Sequence, residues 1–252
     1  MTFPLNTRSQ RVAIFLLLAV GCLSGCASTT TTASEESPET NDPFETFNRS
    51  MFAVNRFGDT VFYKPVGKAY KTVIPKFARR GVGNFFDNLK TPRSSMNNFL
   101  QGKPGRGFSE LARFIFNSTL GVGGLFDVAA AGDMQRFDED FSQTLAVWGV
   151  PEGPYLMIPI WGPRTVLSAA ALPVDIYTDL QLHFSNTGTR DKLYVLRLID
   201  ARARLLTTEA LLMKSYDPYV AFREAYLQNR QYVIHDGDPP DDEDFYIFDD
   251  EE

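Results

Sequence analysis

Two cysteines, two histidines and one glycine cluster are the residues of this 252-residue chain whose types invite a chemical reading. The cluster lies in "NSTLGVGGLFDVAAAGD", from Asn117 to Asp133. Gly121, Gly123 and Gly124 resemble part of a dinucleotide fingerprint, which needs G-x-G-x-x-G directly after a buried strand. Phe126 stands where the third glycine belongs, and the preceding "SELARFIFNSTL" has helical spacing rather than strand alternation. No Gly-Lys-Ser/Thr follows, so a P-loop is excluded. His183 and His235 belong to no H-E-x-x-H or similar cluster, and the chain has no G-x-S-x-G. Metal chemistry and His-dependent nucleophilic catalysis are therefore not expected, and both histidines are read as structural or solvent-exposed.

The cysteines belong to the leader. Arg8 and Arg11 precede the short apolar run "VAIFLLLAVGCL", which ends in Leu23-Ser24-Gly25-Cys26. A positive n-region before so short an apolar core is a secretory signal, not a membrane span. The last four residues resemble a bacterial lipobox, in which the Cys26 thiol takes a diacylglyceryl group and becomes the first mature residue. A plain signal peptide with a chance cysteine is the alternative. Two or three acyl chains at about 0.8 kcal/mol per buried methylene make a firm anchor. Ala27 and Ser28 follow, without the Asp typical of lipoproteins kept in the inner membrane, which favours the outer membrane. Cys22 leaves with the signal, so the mature body has no thiol for a disulfide or a metal, and the only cofactor-like group expected is the covalent lipid on Cys26.

Composition divides the chain into a signal (1–25), an acylated cysteine with a Ser/Thr/Glu tether (26–41), a body (42–235) and an acidic tail (236–252). Tether and tail are too polar to bury a core and are expected to be disordered. The body has the length of one domain. Setting aside thirteen acids of tether and tail and two leader arginines leaves 18 acids against 23 bases in the body, about +5, while the whole chain is −6. Such a body suits an anionic membrane surface or an acidic partner. It is not basic enough for nucleic acid.

The body reads as helical with many breaks. In "DKLYVLRLIDARARLLTTEALLMK", Leu193, Leu196, Ile199, Ala203, Leu206, Ala210 and Met213 recur at three- and four-residue steps, with Asp200, Arg204 and Lys214 off that stripe. A helix is expected to start near Ser109 after the loop "QGKPGRG". In "DPFETFNRSMFAVNRF", Phe44, Phe47, Met51 and Val54 share one face. Strand alternation is sparse and no repeat is visible. Aromatics collect beside glycine and proline, and "WGVPEGPYLMIPIWGP" is an apolar, Trp-flanked segment with four prolines. Trp and Tyr bracketing an apolar stretch mark a membrane interface. No stretch of the body is apolar for 18 residues, so it is expected to enter one leaflet without crossing both. The same aromatics packed as the core of a soluble domain are the competing reading.

Five blocks, "DPFETFNRSMFAVN", "NFFDNLKTPRSSMNNFLQG", "RFIFNSTLGVGGLFDVAAAGD", "FSQTLAVWGVPEGPYLMIPIWGP" and "SYDPYVAFREAYLQNR", resemble in that order the MlaA (VacJ) outer-membrane lipoproteins. The likeness covers about Asp42 to Arg230. It implies an all-α fold: a ring of amphipathic helices around a central channel, embedded in the inner leaflet of the outer membrane. It further implies a non-enzymatic function, the removal of mislocalised phospholipids from the outer leaflet to a soluble periplasmic carrier, MlaC, with trimeric porins as outer-membrane partners. A structural lipoprotein bridging envelope components is the alternative, and a phospholipid-modifying enzyme is weakened by the missing catalytic constellation.

The resemblance also singles out two blocks. One holds Phe47, Asn48 and Arg49 in the first membrane-proximal helix, where pore conformation is sensitive to change. The other, Trp148 to Tyr155, resembles a glycine-rich hairpin loop beside the channel, with Gly149 and Gly153 free to bend and Pro151 fixed between them. An ordinary helix face and a tight turn are equally compatible with these residues. Phe85, Phe86, Phe116, Leu125 and Phe126 are expected to face lipid or the interior. Gly121 to Gly124 are expected to kink an apolar helix or let it pack closely, and Asp127 to face an aqueous lumen or a buried hydrogen bond, since lipid exposure is costly.

Overall fold

The computed structural model describes residues 42–239. Cys26, the signal, the tether and the tail beyond residue 239 lie outside the described residues.

The chain begins with α1 (Glu45–Gly58), which runs through one π-helical turn (Asp59–Tyr63) into α2 (Lys64–Val73). Pro65 in the first turn of α2 cannot donate to the turn before it, and the wider π turn absorbs that loss without ending the helix. Ile74 is extended before Pro75, as a residue preceding proline tends to be, and α3 (Lys76–Leu100) starts anew. Then come α4 (Pro104–Thr119), the single turn α5 (Val128–Ala131) and α6 (Phe141–Val147). An antiparallel hairpin, β1 (Tyr155–Ile158) with β2 (Gly162–Thr165), precedes α7 (Val166–Tyr177), a 3-10 turn (Leu180–His183), α8 (Thr187–Leu212) and α9 (Pro218–Ile234). α3 packs against α4, and α2 against α8.

The burial pattern is inverted relative to a water-soluble bundle. α4 buries Gly107, Glu110, Arg113 and Asn117 at three- and four-residue steps, while Phe108, Leu111 and Ile115 on the opposite stripe are exposed. α3 buries Asn88, Thr91, Ser94, Ser95 and Asn98 and exposes Phe77, Phe99 and Leu100. α1 buries Asn48 and turns Phe44, Phe47, Val54 and Phe57 outward. The apolar face expected on α1 is therefore split: Phe44, Phe47 and Val54 point away from the protein, while Met51 packs inward against Tyr155, Met157 and Tyr219. Among the described residues nine apolar side chains are buried against twenty-three polar ones, so hydrogen bonds rather than apolar contacts organise the interior.

Those bonds are specific. The Asn98 amide donates to the Phe137 carbonyl (3.1 Å), the Ser95 hydroxyl to the Gly107 carbonyl (2.8 Å), the Thr144 hydroxyl to Asn97 Oδ1 (2.9 Å), and the Phe137 N–H to Glu110 Oε1 (2.7 Å). Arg113 forks onto Asp127 (2.9 and 3.0 Å), which also accepts from Asn117 and from the Ala130 N–H that it caps. Burial works against the ionised Asp127, but these donors outweigh it and hold the carboxyl below its ordinary range. Asp127 thus makes the expected hydrogen bonds, but at a partly exposed position. No described helix is long and apolar enough to cross a membrane.

Several expectations are corrected. The fold is mostly helical, as expected, with one added hairpin that the sequence did not announce because four-residue strands carry too few residues to show alternation. The helix expected from Ser109 starts five residues earlier, with Pro104 in its first turn, where a missing N–H costs nothing; the loop shrinks to residues 101–103. Gly121 to Gly124 do not kink a helix; they end α4 and reverse the chain. Val122, Gly123 and Gly124 all have positive φ, and a Cβ on Gly124 would lie 2.7 Å from the Asn88 side chain. Close packing is thus the reason for glycine there. Asp200, expected off the apolar stripe of α8, is buried where it accepts from Tyr70 (3.1 Å) and Arg204 (2.8 Å). Asp236, the first residue of the expected tail, is held by Lys103 (2.7 Å) and Arg106.

Candidate functional site

α1 presents one polar face to the hairpin, and two asparagines on it, seven residues or two turns apart, act as backbone partners. Asn48 is fully buried. Its amide donates to the Tyr155 carbonyl (3.1 Å) and to Asp42 (2.8 Å), and its oxygen accepts from the Met157 N–H (2.8 Å). Asn55 repeats the arrangement further along, donating to the Ile158 carbonyl (2.9 Å) and accepting from the Ile160 N–H (2.7 Å). A side-chain amide presents a donor and an acceptor side by side, as a peptide group does, with a second N–H to spare that Asn48 gives to Asp42. The two asparagines thus clamp β1 and the turn after it.

Asp42 extends the clamp to α9 through the Tyr219 hydroxyl and Arg223 (3.5 Å). Burial and the bond to Asp42 push the Tyr219 hydroxyl well above its ordinary pKa, so it remains a donor. Tyr155, Met157 and Tyr219 form a buried apolar cluster beneath the hairpin, with the Tyr155 and Tyr219 rings edge to face at 6.2 Å. At its base, Arg230 grips the Glu152 carboxylate (2.9 and 3.0 Å), which also accepts from the Thr165 hydroxyl (2.7 Å). The tip is the opposite: Ile160 is 82% exposed with φ 69°, a left-handed conformation that a β-branched residue rarely adopts.

The hairpin separates two cavities. Successive side chains on a strand point to opposite faces. The cross-strand pair Met157–Pro163 lines a cavity of about 190 Å³ that also touches Phe52, Arg202 and Met213. Arg164, paired with Leu156 on the other face, lines a cavity of about 390 Å³ together with Trp161, Arg93 and Gln181. Helix α8 continues from one to the other, with Tyr194, Arg197, Leu198 and Ala201 in the larger and Arg202, Leu205, Glu209 and Met213 in the smaller. Both cavities mix aliphatic or aromatic walls with guanidinium and carboxylate groups. In the larger, burial raises the Asp175 carboxyl above its ordinary range. In the smaller, burial opposes the charge on Glu209, but hydrogen bonds from Lys64 and Arg202 hold it below.

The residues singled out from sequence fall in different places. Asn48 is at the centre of the clamp. Phe47, its neighbour, is exposed, and Arg49 bridges Glu45 and Asp217 at 2.7 Å each. Gly149 and Gly153 have positive φ, yet they and Pro151 precede the hairpin, whose tip is Pro159-Ile160-Trp161. The block read as a hairpin loop is the pinned entry to it, because Glu152 anchors its middle. Phe86 is interior, stacked edge to face on Phe85 at 5.2 Å, whereas Phe116, Leu125 and Phe126 are exposed. Asn55, Glu152 and Ile160 were not anticipated. The i, i+7 repeat of asparagine was the only available signal, and a polar residue on an amphipathic helix is ordinarily assigned to solvent.

Comparison with known proteins fits this architecture. The family model described as "MlaA lipoprotein" matches residues 40–233. The chain is 35% identical over 227 residues to the intermembrane phospholipid transport system lipoprotein MlaA of Escherichia coli (strain K12), covering 88% of each. It is 34% identical to the Haemophilus influenzae protein of the same name, covering 88% of this chain and 89% of that one. A solved structure described as "Structural basis for maintenance of bacterial outer membrane lipid asymmetry" superposes with a TM-score of 0.68 at 36% identity, over 77% of this chain and 98% of its own. By sequence over nearly all of the body, and by fold, the chain belongs to the MlaA lipoprotein family.

Proposed function

We propose that this protein is a lipid-anchored component of a phospholipid transport system that maintains outer-membrane asymmetry, and that it passes mislocalised phospholipid toward a periplasmic carrier of the MlaC kind. The observation that carries this reading is the pair of amphipathic cavities on opposite faces of one hairpin, inside a body that exposes many large apolar side chains. Lipid in place of water is the solvent for which exposed Phe108, Ile115 and Phe126 are favourable. Polar groups turned inward then serve two ends: most are satisfied by one another, and those on Arg93, Arg164, Gln181 and Arg202 with atoms left unpartnered line the cavities, where they offer a headgroup a path that hydrocarbon does not.

In this mechanism the helices form a ring in the inner leaflet, with Cys26 acylated in the same leaflet and porin trimers as neighbours. A headgroup moves along the polar side of α8 while its acyl chains follow the apolar walls. The hairpin is the gate: as long as Asn48 and Asn55 hold it against α1, the two cavities are separate. No bond to the lipid is made or broken, and the reading calls for no catalytic residue. Cross-linking cysteines at positions 55 and 160 fixes the hairpin tip to α1, since Asn55 already meets the Ile160 N–H. The cross-linked protein, at unchanged abundance, is expected to load the carrier with less lipid and to recover on reduction. Loading that is indifferent to the cross-link would refute the gate.

A further inference from the structure

Away from the hairpin, the end of α2, the start of α3 and the middle of α8 enclose a cleft of about 440 Å³ lined by Lys71, Lys76, Arg79, Arg80 and Arg204. The one carboxylate in the lining, Asp200, is already engaged by Tyr70 and Arg204. Arg79 donates to the Ile74 carbonyl (3.0 Å), and Lys71 reaches Thr207 (3.5 Å), both neutral partners. Lys76 and Arg80 make no ion pair among the described residues. Arg204 bridges Asp200 and Asp87 (3.3 Å), so four cations, Lys71, Lys76, Arg79 and Arg80, line the cleft with no carboxylate partner among the described residues.

The backbone compounds this imbalance. α3 is 25 residues long, its N-terminus has no side-chain cap, and no acid stands in its first turn. The positive end of a helix dipole favours acids, whereas here Lys76, Arg79 and Arg80 occupy the first two turns. Such a start is unfavourable unless an anion joins it, and free N–H groups at a helix start are suited to phosphate oxygens. Glycine at position 83 admits the fifth cation: a Cβ there would lie 2.1 Å from Arg204 Nη2. On the rim, Val73 and Phe77 are 73% and 79% exposed.

We infer that this cleft binds a phosphate group, that of an anionic phospholipid headgroup, with Val73 and Phe77 alongside the acyl chains. A cationic recess beside exposed apolar side chains matches the two ends of that molecule, while free phosphate matches only the first. The inference rests on the reading that this body works at a phospholipid leaflet, but its test measures binding and not passage, so the two can fail separately.

The experiment uses the full acylated chain in mild detergent, titrated with short-chain phosphatidylglycerol and, separately, with inorganic phosphate. The variant Lys76→Gln/Arg80→Gln removes two cations from exposed positions. At roughly fivefold per cation, it is expected to bind the lipid about 25-fold more weakly. The charge-keeping variant Lys76→Arg/Arg80→Lys is expected to bind as the parent does, and Gly83→Ala, which displaces Arg204, to lose part of the affinity. Inorganic phosphate is expected to displace the lipid poorly; displacement at matching concentrations would overturn the headgroup assignment in favour of free phosphate. Equal lipid affinity in the parent and the glutamine variant would overturn the site.

Discussion

Replacing Asn48 with Ala tests the clamp on the hairpin directly. The substitution removes three hydrogen bonds at a fully buried position and leaves the Tyr155 carbonyl and the Met157 N–H without that partner. A buried polar group left unmade costs about 1–3 kcal/mol, so the two together are worth about 2–6 kcal/mol. Asn55→Ala removes the equivalent pair at an exposed tip, where water replaces the amide, and is expected to cost only about 0.5–1.5 kcal/mol. Asn48→Asp is no rescue, because its second oxygen would face the Tyr155 carbonyl and the Asp42 carboxylate. Urea unfolding of the acylated protein in mild detergent, followed by the fluorescence of Trp148 and Trp161, gives the three values. A freed hairpin should also let more lipid reach the carrier from folded Asn48→Ala. The reasoning fails if Asn48→Ala costs no more than Asn55→Ala, or if unfolding shifts while carrier loading stays level.

The remaining predictions concern the anchor, the loop and pH. Cys26→Ala is expected to abolish labelling by a palmitate analogue and leave unprocessed precursor in the inner membrane, with Cys22→Ala silent; normal processing of the Cys26 variant would refute the lipobox. Pro151→Gly should lower stability by only about 0.4–1 kcal/mol, through the unfolded chain, and leave carrier loading unchanged or faster, because Glu152 rather than Pro151 holds that loop. Asp127 has a folded pKa below its unfolded one, so its contribution is present above about pH 4 and fades as pH falls through the lowered value; Asp127→Asn should remove that acid-side loss. Burial raises the Glu110 carboxyl despite the bond from the Phe137 N–H, so its contribution runs the other way and fades as pH rises from about 4. Glu110→Gln, which retains an acceptor for Phe137, should flatten that decline in urea midpoints measured from pH 3 to 7, and an unchanged slope would count against it.

Sequence periodicity located α1, α4 and α8, because a three- and four-residue rhythm survives whichever way the stripe faces. The leader is read from a signal that is wholly local, charge, a short apolar run and a cysteine, and it lies outside the described residues. What periodicity lacks is a sign. The stripe of Phe44, Phe47, Met51 and Val54 reads the same whether it faces a core or lipid, and only the packed helices placed Phe47 outside and Asn48 inside. The rhythm of Glu110, Arg113 and Asn117 is likewise visible in the chain, but its meaning as an interior face depends on partners such as Asp127 and the Phe137 N–H. The hairpin was hidden for another reason: its strands have four residues, and it is held by side chains more than a hundred positions away. Contacts between residues so distant in sequence leave no local pattern, so the tertiary structure alone decided which polar residues are buried, and hence where the candidate gate lies.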